Sequence, residues 1–498
     1  MQSYVIGIDI GTSSTKAVAI DDSGKVIATS RDYYPTMAPM SGYSEQDPQL
    51  IWEAYVKSIQ SIVYTVGCTP KVITLSSCMH SLIVVDNNDT PITPSITWAD
   101  SRSENIARNM RASTGAENIY TITGTPIHAM SPLCKIIWIH ENMPEVYAQA
   151  KKFISIKEYI WFQLFQVYEI DHSIASSTGL FDISHCVWYD VSMNLCEINA
   201  DQLSSPVATD YLRNSISATI ASLLQIDTHT QFCIGASDGC MAMIGSMANR
   251  PGIASVTVGT SGAVRICSPK PVYNFPGMTF NYILDNNTII CGGPVNNGGN
   301  LIEWLFKSFI TGTPGDEAAY KNIFITVESV IPGSEGLIFL PYLHGERAPM
   351  WDERACGVYF GIRSHHEKSH FLRATAEGIC YGLLHVLEQL DGLNGSVNQL
   401  NVSGAIVQSA TWLQILADIT GKKICVSHGD DASALGAAVF GMKAISPRRN
   451  DDYLVESNDL IIQPNMKNHA VYEKYYKIFK SLSSSSTDFM HQLYDLNS

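Results

Sequence analysis

The chain has 498 residues, 45% apolar and 16% charged, with a formal net charge of −15. That length exceeds what one hydrophobic core normally serves and predicts two sizeable domains. Acidity without any Lys/Arg-rich run argues against nucleic acid or an anionic membrane surface as partner. Twelve scattered cysteines without a C-x-x-C pair argue against a disulfide framework or a zinc site. No apolar run approaches the roughly 18 residues of a membrane span, so the reading is a reduced, cytoplasmic protein.

In chain order, residues 4–10, 16–20 and 26–30 read as three short strands separated by Gly11-Thr12-Ser13-Ser14 and Asp21-Asp22-Ser23-Gly24. A helix follows, with Asp47 as N-cap, Pro48 in the first turn and Gly67 as its end; Trp52, Val56, Ile59, Val63 and Val66 share one face. Spans 72–76, 82–86 and 96–98 read as further strands, the alternation expected of an α/β domain. Val256-Thr257-Val258-Gly259-Thr260-Ser261 then echoes Ile8-Asp9-Ile10-Gly11-Thr12-Ser13 near the middle of the chain. The repeat predicts two domains of related design, 1–246 and 247–498, each opening on a strand–turn–strand hairpin. Further on, 300–310, 369–390, 409–420 and 431–442 read as helices and 400–402 as a strand. The polar run 483–486 predicts a frayed C-terminal tail.

Three segments carry chemistry. In Asp9-Ile10-Gly11-Thr12-Ser13-Ser14-Thr15-Lys16, a tight turn presents backbone N–H groups and hydroxyls together, which suits phosphate oxygens. Asp9, at a buried strand end, is placed to hold Mg²⁺ through water. In Ile234-Gly235-Ala236-Ser237-Asp238-Gly239 an aspartate stands between small residues, free to project into a cleft. Transfer of a phosphoryl group to an alcohol needs such a carboxylate beside the attacking hydroxyl, so Asp238 is the candidate general base. The third segment is the Gly259-Thr260-Ser261-Gly262 turn, suited to neutralising phosphate charge. Neither a Walker A pattern nor G-x-G-x-x-G occurs, which disfavours P-loop and dinucleotide enzymes.

With these segments in hand, the sequence resembles the FGGY carbohydrate kinases of the actin/hexokinase ATPase superfamily. Residues 130–142 fit that family's first signature throughout. Residues 357–377 fit the second closely, with Ala376 where a larger apolar residue is usual. The resemblance implies an α/β fold of two ribonuclease-H-like domains with the site in the cleft between them. It implies ATP and Mg²⁺ as cofactors, a small sugar or sugar acid as partner, and compatibility with a homodimer. Position by position, Asp9 and Asp238 match the metal-linked aspartate and the base. Gly11, Thr12, Ser13 and Lys16 match the first phosphate loop, and Gly259, Thr260, Gly299 and Glu303 match positions near the nucleotide. The adenosine-side motif reads Ser403-Gly404-Ala405 instead of carrying two adjacent glycines, and Ser409 stands where some members have asparagine.

For the acceptor, the resemblance points to Met79 and His80, with Trp98, Asp100 and Arg102 adding an aromatic face, a carboxylate and a guanidinium. Stretches 97–103, 124–130, 156–160 and 292–299 look most like gluconate kinases. A sugar-acid carboxylate calls for a cation, and Arg102 is the first candidate, with Lys157, His128 and Arg347 as alternatives. The expected reaction is D-gluconate + ATP → 6-phospho-D-gluconate + ADP, with xylulose or another ketose or polyol as the alternative acceptor. A nucleotide-gated binding protein or an inactive homologue remains a distinct reading, separable by sugar-dependent ATP consumption.

Overall fold

The computed structural model describes residues 3–309, 324–391, 396–426, 431–446 and 460–497. Tyr4–Ile10 (β1) is buried at every position and turns back at Gly11 into Ser14–Asp21 (β2), which leads to Val26–Tyr33 (β3). Val72–Ser77 (β4), Leu212–Arg213 (β5) and Gln231–Cys233 (β6) complete a sheet of order β5-β6-β4-β1-β2-β3.

The second sheet is built from Ile253–Val258 (β7), Gly262–Ser268 (β8), Phe280–Asp285 (β9), Thr288–Val295 (β10), Gln399–Ser403 (β11), Lys423–Val426 (β12) and Leu460–Ile462 (β13). Its order is β9-β10-β8-β7-β11-β12-β13. The two sheets repeat one pattern. β1 pairs antiparallel with β2 and parallel with β4, as β7 does with β8 and β11. β2 pairs antiparallel with β3 and β4 parallel with β6, as β8 does with β10 and β11 with β12. The echoed Gly-Thr-Ser segments are the same turn of the same ribonuclease-H-like sheet.

β1 is apolar on both faces because helices cover both. Tyr4, Ile6, Ile8 and Ile10 pack with Ile51, Trp52, Tyr55 and Ile59 of Pro48–Val66 (α1), whose ends are the expected Asp47 N-cap and left-handed Gly67. Val5 and Val18 pack instead with Ala434, Ala437 and Ala438. Those alanines lie on Ala432–Ile445 (α3), which crosses Asp238–Gly245 (α2). The crossing is close: a Cβ on Gly245 would sit 1.9 Å from the Ala432 carbonyl oxygen, and one on Gly436 1.9 Å from that of Met241. Only hydrogen fits at either contact, and α2 carries Asp238 at its first turn.

Most predicted elements appear within a residue or two, including Gly299–Phe309, Lys368–Leu390 and Ala410–Thr420; residue 310 lies outside the described residues. Two expectations are corrected. The strand at 96–98 is only Ser95–Ile96, because the chain turns at Thr97, whose carbonyl accepts from the Asp100 N–H. The tail at 483–486 is not frayed but lies inside the helix Met466–Asn497. Tyr472, Tyr476, Phe479 and Met490 anchor that helix in the core, and Ser483, 3% exposed, shares a 2.9 Å hydrogen bond with Tyr342.

Candidate active site

The two Gly-Thr-Ser turns open onto one cavity of about 240 Å³. Thr12 enters from the first turn, Ser261 and Gly262 from the second, and Asp238 from the start of α2. Local sequence makes this placement possible. β6 ends before Gly235, which adopts φ +70 with Leu75 O occupying the place of a side chain, so the chain turns sharply into the helix that Asp238 begins.

Burial raises the Asp238 carboxyl above the ordinary carboxylate range, opposed by the nearby Arg265 charge; Asp238 Oδ1 also accepts from the Gly239 N–H at 2.6 Å. Asp9, at the end of β1, is 7% exposed and accepts from Ser76 Oγ at 3.0 Å. Burial and then the Asp238 charge push its carboxyl up to about 7, with Lys16 pulling the other way. Lys16 lies 3.6 Å from Asp431 Oδ1, which also accepts from Arg31 at 2.8 Å, so a residue of the second half is clasped by the first hairpin. The backbone of Gly11 and Ser13 holds Tyr34: Gly11 O accepts its hydroxyl proton at 2.6 Å and Ser13 O its N–H at 3.2 Å.

Of the residues expected at the acceptor, Met79, His80 and Trp98 line the cavity. His80 takes φ +65, its Nδ1 donates to Ser177 O at 2.8 Å, and its Nε2 accepts from the Tyr282 hydroxyl at 3.2 Å. Burial and the Lys135 charge pull His80 down to about 3, so the ring is neutral and both nitrogens are engaged. Trp98 Nε1 donates to Thr12 Oγ1 at 2.9 Å, tying the Trp98 loop to the first Gly-Thr-Ser turn. The signature helix Pro132–Asn142 supplies the support beneath both. Lys135, fully buried, donates to the carbonyls of His80 at 2.6 Å and Thr97 at 2.7 Å. Burial brings this ammonium down to about 7.

Three expected cations stand elsewhere. Arg102 donates to Asp100 at 2.9 and 2.7 Å and to Glu45 at 2.5 Å, with its guanidinium 3.7 Å from the Tyr43 ring centroid. Neither member of that ion pair lines the cavity, and Arg102 and Asp100 brace the loop. Lys157 is spent on Asp171 at 2.7 Å and the Ala236 carbonyl at 3.1 Å. His128 accepts from the Met130 N–H at 3.1 Å and packs against Trp351. The cations that do line the cavity are Arg347 and Arg265. Sequence reasoning misses Arg265; the available signal is a lone charge in the apolar run 262–268, two positions from Ala263 and therefore on the same face of a strand.

The expected nucleotide-side residues gather behind the second turn. Gly299 N–H donates to Gly259 O at 2.7 Å, Thr260 O accepts from Asn300 N–H at 3.2 Å, and Thr257 and Ser403 share a 3.2 Å hydrogen bond. Gly404 has φ +89 and lies against the Val258 carbonyl, leaving no room for a Cβ. The glycine requirement falls on Gly404 alone, since Ala405 begins a short 3₁₀ turn, Ala405–Gln408. Ser409 caps the next helix by accepting from Trp412 N–H at 3.2 Å. Glu303 pairs with Lys307 at 2.6 Å on an exposed face.

Comparison with known proteins agrees with this geometry. Residues 4–245 match the N-terminal domain of the FGGY family of carbohydrate kinases and residues 254–445 its C-terminal domain. The chain is 40% identical over 453 residues to a gluconokinase of Bacillus subtilis (strain 168), covering 89% of this chain and 88% of that protein. A gluconate kinase structure from Lactobacillus acidophilus superposes with a TM-score of 0.91 at 31% identity, covering 98% of this chain and all of that one. A ligand-bound xylulose kinase structure from the same organism gives 0.91 at 31% identity, over 97% and 98%.

Proposed function

Because this chain belongs to the FGGY family of carbohydrate kinases, and so transfers a phosphoryl group from ATP to an alcohol of a small sugar, we propose that its acceptor is D-gluconate. The products are 6-phospho-D-gluconate and ADP. The observation that carries the reading is the 40% identity to a gluconokinase across most of both chains, supported by two guanidinium groups in a cavity of sugar size.

Asp238 accepts the proton of the attacking hydroxyl as that oxygen bonds to the γ-phosphorus and the bond to the ADP oxygen breaks. Its raised pKa suits a group that must bind a proton during the reaction. Thr12 and the Gly259–Ser261 turn donate to phosphate oxygens, and Met79 packs against the carbon chain. Among the described residues no cluster of three or more His, Cys, Asp or Glu could cage a metal. The Asp9–Asp238 pair fits instead a largely hydrated Mg²⁺ held through one or two carboxylates and the nucleotide phosphates. Such an ion, when bound, neutralises phosphate charge.

The likeness to a xylulose kinase at equal TM-score supports a ketose as the competing acceptor. A coupled ADP-release assay with Mg-ATP over D-gluconate, D-xylulose, glycerol, L-fuculose and D-ribulose decides. D-gluconate should give the highest kcat/KM; preference for any uncharged acceptor would overturn the substrate while leaving the family intact.

A further inference from the structure

Two arginines enter the cavity, and neither is held in a close ion pair as Arg102 is. Arg265, half-buried, feels the nearby Asp238 charge but makes no hydrogen bond or close ion pair with any described residue, and its buried Nε has no partner. Arg347, 8% exposed, donates from Nη2 to Val295 O at 3.1 Å and lies 5.6 Å from the Trp98 ring, and its Nε is likewise unpartnered. Burial lowers both guanidinium pKa values, that of Arg347 to about 10. A buried cation without a hydrogen-bonded counter-charge is costly. Two such cations facing one cavity describe an anion-binding site.

The anion could be the transferred phosphoryl group or a carboxylate on the acceptor, and position along β8 separates these. Gly262, Ala263 and Arg265 all line the cavity, so it runs along the strand away from the second turn. At about 3.3 Å per residue, the Arg265 backbone stands roughly 13 Å from Ser261. Its guanidinium turns toward the acceptor loop: a Cβ on Gly239 would lie 3.1 Å from Arg265 Nε and 3.4 Å from Met79 Cε. The missing side chain at Gly239 is what makes room for the guanidinium there. Arg347, by contrast, is anchored to the Val295 carbonyl and the Trp98 face.

Resting on the gluconate reading above, we propose that Arg265 is the specificity-determining residue that receives the acceptor carboxylate, its planar fork giving two parallel N–H···O bonds. Uncharged acceptors leave this cation with only the Asp238 charge nearby and no hydrogen-bonded anion, and are disfavoured for that reason.

The test is calorimetric binding of D-gluconate and, separately, of Mg²⁺ with β,γ-imido-ATP to full-length wild type, Arg265→Met, Arg265→Lys and Arg347→Met, with circular dichroism as the folding control. Losing a charged hydrogen-bonding group should weaken gluconate binding to Arg265→Met about 10–100-fold. Nucleotide binding should stay within about threefold and Arg265→Lys should recover part of the loss, because it keeps the charge without the fork. Equal weakening of gluconate and nucleotide would assign Arg265 to the phosphoryl end, and gluconate loss confined to Arg347→Met would move the carboxylate there; either overturns the proposal. Wild type that fails to bind gluconate but binds D-xylulose overturns the substrate reading first, and the carboxylate assignment with it.

Discussion

The ammonium of Lys135 lies 2.6 Å from the carbonyl oxygen of His80 and 2.7 Å from that of Thr97, so one buried side chain holds the two loops that carry Met79–His80 and Trp98. The signature helix thereby gains a physical role, because its lysine sets the Met79–His80 and Trp98 wall of the cavity without itself lining it. Lys135→Met strips the His80 carbonyl of its donor and leaves Thr97 O with only the Asp100 N–H, at about 1–3 kcal/mol for a buried group left unsatisfied. The acceptor KM should rise about tenfold or more, with the ATP KM little changed. Steady-state kinetics varying each substrate in turn checks this, and equal effects on both would contradict it.

Asp238→Asn keeps the shape of the side chain and removes its basicity. Turnover should fall about 10²–10⁴-fold while Mg-ATP binding persists, the usual scale for loss of a general base. Near-normal kcat would exclude Asp238 from that role.

The Asp9 carboxyl, pushed up to about 7 by burial and by Asp238, stays protonated in the native state where the unfolded chain has already released its proton. The stability this contributes is complete below about pH 4 and is lost as pH rises through about 7, at about 1.4 kcal/mol per unit of separation. The ligand-free wild type should therefore lose more stability between pH 4 and pH 7.5 than Asp9→Asn does. Denaturant midpoints across that range measure it; superimposable curves would refute the shift.

Arg102 tests the alternative carboxylate receptor. With Arg102 and Asp100 both buried, Arg102→Met leaves Asp100 and Glu45 without their cation, a loss of about 3–5 kcal/mol. The thermal midpoint should drop, while kcat/KM for acidic and uncharged acceptors changes by the same factor. A loss confined to the acid would return the carboxylate to Arg102.

Gly436→Ala forces a methyl against the Met241 carbonyl where α3 crosses α2. Overpacking of this kind costs about 1–3 kcal/mol or more. Because α2 begins at Asp238, kcat should fall together with the thermal midpoint, and an unchanged kcat in a folded variant would uncouple the crossing from the site.

The periodic and punctuated parts of this protein were legible in its residues. Asp47-Pro48 and Gly67 bracket α1 because capping and left-handed glycine are local chemistry, and the doubled Gly-Thr-Ser turn announces two related sheets because a hairpin needs only its own sequence. Asp9 and Asp238 stand out for equally local reasons: Asp9 is a carboxylate near the end of an apolar strand, and Asp238 sits between small residues that leave its side chain free to project. What residues alone did not settle is which cation faces the cavity. Arg102, adjacent to the acceptor loop in sequence, is consumed by Asp100 and by Glu45, 57 positions away, whereas Arg265 reaches the cavity by way of a strand in the other half. Pairing of charges is decided by through-space neighbours that only the folded chain assembles, so the identity of the unspent guanidinium belongs to the tertiary structure.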